Sequence, residues 1–150
     1  MKIFLTGASG LVGAAFAQAA SRRGHHVVGV VGRFKGELPG VAERRTLELA
    51  DEAALTAALL SVSPDAIVNC AAISEPAAVE ADPVRSHLLN VKLPSTLAQL
   101  ARRLDARCLH ISSEQAFDGS RTEPYAVENP VCPLNLYGRQ KVESEQAVHA

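Results

Sequence analysis

The 150-residue chain has no Trp, and with two Tyr and four Phe its aromatic content is 4%. Such scarcity argues against a base-stacking platform for single-stranded nucleic acid. An excess of charge is missing too: 15 Lys and Arg stand against 16 Asp and Glu, for a net charge of −1. No polycationic field draws the protein to nucleic acid or to an anionic lipid surface, so neither is an expected partner. The three cysteines, Cys70, Cys108 and Cys132, form no C-x-x-C pair, and the five histidines show no ligand spacing. A disulfide scaffold and a metal site are therefore not expected, and reduced thiols point to the cytoplasm. No apolar run approaches the roughly 20 residues of a membrane-spanning helix. Lys2 and the Ala-rich stretch to Ala20 faintly resemble an export signal. However, Thr6-Gly7-Ala8-Ser9-Gly10 interrupts the run where such a signal is most hydrophobic.

What the sequence does have is alternation. Short apolar runs trade places with stretches of helical period. The length suits one domain, and a hydrophobic fraction of 47% suits a packed core. Lys2–Thr6 reads as a buried strand, Gly10–Arg23 as a helix and His26–Val31 as a second strand. Arg45–Leu49 reads as a third, weaker strand. Asp51–Val62 reads as a helix that Asp51 caps and that sets Leu55, Leu59 and Leu60 on one face. Ser63-Pro64-Asp65 ends it before strand Ala66–Cys70. Pro83–Leu104 has helical period, with Pro94 expected to kink it or to begin a second helix, and Arg107–Ile111 is a fifth strand. This alternation predicts an α/β fold: a doubly wound, parallel Rossmann sheet in the order 3-2-1-4-5. Ligands of such sheets bind beyond the carboxyl ends of the strands, so chemistry is expected after Leu5, Val31, Leu49, Cys70 and Ile111.

The first of those places holds Gly7-Ala8-Ser9-Gly10-Leu11-Val12-Gly13, a G-x-x-G-x-x-G spacing between a strand and a helix. Gly7 permits the tight turn, Gly10 lets backbone N–H groups approach a pyrophosphate, and Gly13 allows close helix–strand packing. The helix directs its positive end at the phosphates. Gly7, Ser9, Gly10, Leu11, Val12 and Gly13 are thus candidate cofactor contacts. No Gly-Lys-Ser/Thr follows, which excludes a Walker A loop. After the second strand, where an acid would hold the ribose of NAD, stand Arg33 and Lys35. Arg33 suits stacking on adenine and, with Lys35, pairing with a 2′-phosphate, so NADP(H) is expected over NAD(H).

After the fifth strand comes Ser112-Ser113-Glu114-Gln115, and later Asn135-Leu136-Tyr137-Gly138-Arg139-Gln140-Lys141. With Asn135 as cap, Tyr137 and Lys141 stand one turn apart on one helix face. A free Tyr titrates near roughly 10, too high for an efficient proton shuttle near neutrality. A cation about 4–5 Å away at an effective dielectric near 20 is worth roughly 3–4 kcal/mol, about two to three pKa units for the phenolate. Ser113 is placed to hydrogen-bond the reacting carbonyl.

Taken together, Thr6–Gly13, Val68-Asn69-Cys70-Ala71-Ala72, Leu89-Asn90-Val91, Ser112-Ser113 and Tyr137…Lys141 resemble the extended short-chain dehydrogenase/reductases. Phe117-Asp118-Gly119, Pro124-Tyr125 with Glu128, and Pro133–Gly138 are most similar to the sugar-nucleotide reductases of the dTDP-4-dehydrorhamnose reductase kind. The similarity runs from Met1 to about Val148. It implies catalytic roles for Ser113, Tyr137 and Lys141, with Lys141 also bonding the nicotinamide ribose. It places Ala71 and Ala72 beside the cofactor, Glu48 and Leu49 around adenine (Glu replacing the usual Asp), and Asn90 in support of the site.

The expected activity is NADP(H)-dependent reduction of the C4 carbonyl of a 4-keto-6-deoxy nucleotide sugar, the sugar nucleotide being the partner molecule. Gln115 stands where related dehydratases carry an acid, which disfavours β-elimination; the Asp-Tyr usual in the reductases is Glu114-Gln115 here. Residues 1–150 are then the NAD(P)-binding domain, with the substrate-binding part expected outside this chain. The resemblance allows a homodimer. Two alternatives are a non-catalytic nucleotide-binding or regulatory module and an NAD-dependent nucleotide-sugar epimerase.

Overall fold

The computed structural model describes residues 1–150. Five parallel strands, β1 (Lys2–Thr6), β2 (His26–Val31), β3 (Glu43–Thr46), β4 (Ala66–Asn69) and β5 (Arg107–His110), form one sheet in the order β3-β2-β1-β4-β5. The expected topology is the observed one. α1 (Leu11–Arg22) covers one face of the sheet; α2 (Glu52–Val62) and α5 (Leu93–Arg103) cover the other. α3 (Pro76–Ala81), α4 (Pro83–His87) and α6 (Leu136–His149) pack together beside the carboxyl edge.

The period of two along the strands divides the core. Phe4, Val28, Val30 and Ile67 meet Leu55, Leu59, Leu97 and Leu100 on one side. Ile3, Leu5, Val27, Val31 and Val68 meet Ala17 and Ala20 on the other. Burying apolar side chains of this size contributes about 1.5–3 kcal/mol each. Small residues on α1 let that helix lie close to the sheet.

Four details depart from the sequence reading. The third strand is Glu43–Thr46, not Arg45–Leu49. It is an edge strand with solvent on both sides, so it carries charge instead of apolar residues, while Leu47 and Leu49 pack onto the core from the segment after it. On α2 the buried residues are Leu55, Leu59 and Val62, and Leu60 is 54% exposed. An i, i+4, i+7 stripe continues to Val62, and Leu60 lies off it. α3 was not expected at all. The Pro83–Leu104 stretch passes through a π-helical segment that was not expected, Leu88–Lys92, and α5 then begins with Pro94 in its first turn, one of the two expected outcomes. The wider turn loosens the ladder just where Pro94 has no N–H to give.

Candidate active site

Three strand ends converge. Thr6 is level with Asn69, and Asn69 with His110. The segments after β1, β4 and β5 therefore leave the same edge of the sheet, with about 10 Å between the outer two.

Gly7 turns out of β1 with φ 68°. A Cβ there would stand 2.6 Å from the Cys70 carbonyl carbon and 2.7 Å from the Ala71 nitrogen, so the loop touches the segment after β4. A Cβ on Gly13 would meet the Gly7 oxygen at 2.2 Å. At Gly10 the same contact is only 3.3 Å. Gly7 and Gly13 thus answer the protein's own packing, and Gly10 keeps backbone open to the outside. Ser9, Gly10, Leu11 and Val12 are exposed. Asp51, Asp82 and Asn135 cap α2, α4 and α6 with their side chains, but Gly10 caps α1 with none. The first-turn N–H groups of α1 are left for a partner from outside, a fit for a dinucleotide pyrophosphate.

Beyond the carboxyl end of β2 lies a cleft of about 310 Å³ lined by Gly32, Arg33, Leu47, Glu48, Leu49, Arg85 and Leu89. It brings together Arg33, Glu48 and Leu49, which the sequence separates. Lys35 is exposed and stands outside it. Arg85, supplied by α4, escaped the sequence reading because nothing in its local pattern links it to β2. Ala71 is half-buried against the glycine loop, and Ala72 is exposed.

Across the edge, the Asn135 side chain accepts the Gly138 N–H at 2.7 Å and starts α6. Its amide nitrogen donates to Gln115 Oε1 at 2.7 Å, tying the cap to the 3₁₀ turn Glu114–Ala116. Gly138 permits this approach, since a Cβ there would meet the Gln115 oxygen at 2.2 Å. Tyr137 is 7% exposed and Lys141 1%. Asn90, in the π-helical segment, clamps the site from behind: it pairs with both backbone groups of Ile73 (2.9 and 3.0 Å) and donates to Gln140 Oε1 at 2.8 Å. The Ser113 hydroxyl accepts the Gln115 N–H at 3.2 Å and donates to Glu114 at 3.0 Å. In front of Ser113 opens a cleft of about 610 Å³, with Phe117, Tyr125, Val127 and Val131 among its walls.

The electrostatics correct one expectation. Lys141 Nζ donates to the Ile111 carbonyl at 2.6 Å and lies 3.1 Å from His110 Nε2. Its charge is not what sets Tyr137. Burial pushes the Tyr137 phenol above its ordinary value, Ser113 pulls it back, and the Glu114 carboxylate raises it further. Burial also lowers Lys141 to about 8, against an opposing pull from Glu145.

A family model described as the RmlD substrate binding domain matches residues 1–150. The chain is 35% identical over 147 residues to methionine adenosyltransferase 2 subunit beta of Xenopus laevis, covering 98% of this chain and 42% of that protein. It is 33% identical over 150 residues to dTDP-4-dehydrorhamnose reductase of Mycolicibacterium smegmatis, covering 99% of this chain and 42% of that protein. A crystal structure of a hypothetical dTDP-4-dehydrorhamnose reductase from Sulfolobus tokodaii superposes with a TM-score of 0.86 at 28% identity, over 98% of this chain and 51% of that one. The chain thus spans about 42% of the length of the curated relatives it matches.

Proposed function

Since this chain belongs to the family of the RmlD substrate binding domain, we propose that it is the cofactor-holding and proton-donating portion of a nicotinamide-dependent sugar-nucleotide reductase. Its substrate is a 4-keto-6-deoxy nucleotide sugar, its cofactor NADPH, and its product the C4 alcohol. The 33% identity to a dTDP-4-dehydrorhamnose reductase supports the substrate class. The Arg33 and Arg85 guanidiniums beside one cleft support a 2′-phosphate.

A reduced nicotinamide, when bound, supplies the hydride. The residues of this chain do the rest. The uncapped first turn of α1 holds the pyrophosphate, and Arg33, Glu48 and Leu49 face the adenosine end. Ser113 turns its hydroxyl from Glu114 to the C4 carbonyl. Tyr137 then gives its phenolic proton to the oxygen as charge develops there. The 33% identity over 150 residues to a dTDP-4-dehydrorhamnose reductase is the observation that carries a reductase over an epimerase, whose first step asks Tyr137 to act as a base. Lys141 holds the Ile111 carbonyl and so fixes the segment leading to Ser113.

The test is turnover of NADPH with dTDP-4-dehydrorhamnose. With the substrate-binding part present, we expect oxidation of NADPH in the wild type, its loss in Tyr137→Phe, and NADPH binding within a few-fold in both. Retained turnover in Tyr137→Phe would overturn the assigned acid. The 35% identity to an adenosyltransferase subunit supports a second reading, a regulatory module that binds a nucleotide without converting it. NADPH binding with no turnover in any variant would favour that one.

A further inference from the structure

A polar chain runs from β1 through β4 and β5 into α6, and the direction of each hydrogen bond in it can be assigned. The Ala71 N–H donates to Asn69 Oδ1 at 3.2 Å, and the Thr6 hydroxyl donates to the same atom. A backbone N–H only donates, so that atom is the amide oxygen and the other terminal atom is the NH₂ group. Asn69 Nδ2 therefore donates to His110 Nδ1, 3.0 Å away. Nδ1 accepts and carries no proton, which leaves the proton of the neutral ring on Nε2. Nε2 lies 3.0 Å from Ser144 Oγ, whose own proton goes to the Lys141 carbonyl at 2.7 Å. It also lies 3.1 Å from Lys141 Nζ. The ring N–H is thus aimed at a hydroxyl that accepts it and at the lysine nitrogen. An ammonium has three donors and no acceptor, so it meets that N–H donor to donor, whereas an amine offers a lone pair.

We propose that Asn69 fixes His110 in the Nε2–H tautomer, and that His110 is a positioning residue whose ring N–H governs how much of Lys141 is ammonium. The tautomer and the lysine charge stand on the hydrogen-bond network alone. Their bearing on the reaction, through the Ile111 carbonyl that Lys141 holds beside Ser112 and Ser113, rests on the function proposed above.

Lys141 is 1% exposed. Beyond burial, no carboxylate at ion-pair distance competes with the ring for the lysine. Glu145, one turn on, accepts the Ser112 hydroxyl and pulls the lysine towards ammonium from a distance. Among ionisable groups on the elements packed against α6, Glu80 meets the Leu136 N–H at its first turn, and His87 pairs with Glu143 on its outer face. Glu114 acts on Tyr137. Lys92 of the π-helical segment and Arg102 and Arg103 of α5 are exposed. His110 itself is held neutral down to about 4 by burial and by the lysine, so the ring does not lose its role by charging near neutrality.

The test is a nitrogen-15 and carbon-13 NMR titration of the 150-residue chain without nucleotide. We expect the protonated-nitrogen signature of His110 at Nε2 throughout the neutral range, with Lys141 titrating near 8. In Asn69→Asp a carboxylate faces Nδ1, so the ring flips to Nδ1–H and Nε2 becomes an acceptor for the ammonium. The Lys141 midpoint then rises by about one unit, a tenfold change in proton affinity. Adding His110→Phe to Asn69→Asp separates this from the direct effect of the new charge, and there the rise falls by more than half. A wild-type ring protonated at Nδ1 would overturn the proposal, even where the variants fail to fold. Equal rises with and without the His110 ring would overturn it as well. Should the chain bind no nicotinamide nucleotide while the Nε2–H signature stands, the proposed function fails and this inference survives.

Discussion

Replacing Lys141 by Met removes an ammonium that the fold holds at an unfavourable place. Its folded value is about 8 against an ordinary 10.5. Because the folded value is depressed, the unfolded chain binds the extra proton more tightly between those limits. Wild-type stability therefore carries the full benefit of a neutral lysine above pH 10.5 and loses it as pH falls through 8. The gap is 10.5 − 8 = 2.5 units, which at about 1.4 kcal/mol per unit comes to roughly 3 kcal/mol. Methionine has similar bulk and nothing to titrate. It forfeits the bond to the Ile111 carbonyl, about 1.5–3 kcal/mol for a charged donor, so the two terms roughly cancel below pH 8. The comparison across pH is the sharper quantity, since every other titrating group is common to both proteins. Urea unfolding of the two proteins at matched pH, followed by circular dichroism, reads it. We expect wild type minus Lys141→Met to rise by roughly 3 kcal/mol from below pH 8 to above pH 10.5. A difference that stays flat, or that falls with pH, would refute the reasoning.

Three further outcomes follow from other parts of the molecule. Gly13→Ala drives a methyl into the Gly7 carbonyl at 2.2 Å; we expect a loss of roughly 1–3 kcal/mol in denaturant unfolding and a weakened nucleotide site. Arg33→Ala should cut the preference for NADPH over NADH about tenfold in paired Kd measurements, and Arg85→Ala should move it the same way; an unchanged ratio in both would remove the 2′-phosphate assignment. His110 is lowered from 6.5 to about 4. It thus contributes stability above pH 6.5 that is lost as pH falls through 4, and His110→Phe should flatten that part of the acid unfolding curve.

Where the sequence could be read, the signal was local. β1, β2 and the start of α1 announce themselves through an apolar run, a glycine turn and a helical period, and each requirement falls within a few residues. Tyr137 and Lys141 share a face because four residues make about one turn. Other features depend on neighbours that the sequence does not name. β3 is charged because it lies at the sheet edge, a fact of topology and not of its own residues. The π-helical segment Leu88–Lys92 joins α4 to α5 with no local residue pattern that names it. Arg85 joins Arg33 across the β2 cleft through the packing of α4. The Thr6–Asn69–His110 line exists only because parallel register sets those three residues level on adjacent strands. The same register supplies what helical spacing does not show: the partners of Lys141, His110 and Ile111, come from β5 and the residue after it.

In the proposed function the glycine loop seats a dinucleotide with its reactive end toward Tyr137. Titrating NADPH into the chain while following backbone amide NMR shifts tests it most directly. We expect saturable shifts at Ser9–Gly13, at Arg33 and at Tyr137 and Lys141 together, with NADH producing the same loop shifts at higher concentration. Loop amides that stay in place at saturating NADPH and NADH, or nucleotide-induced shifts confined to another surface, would contradict it.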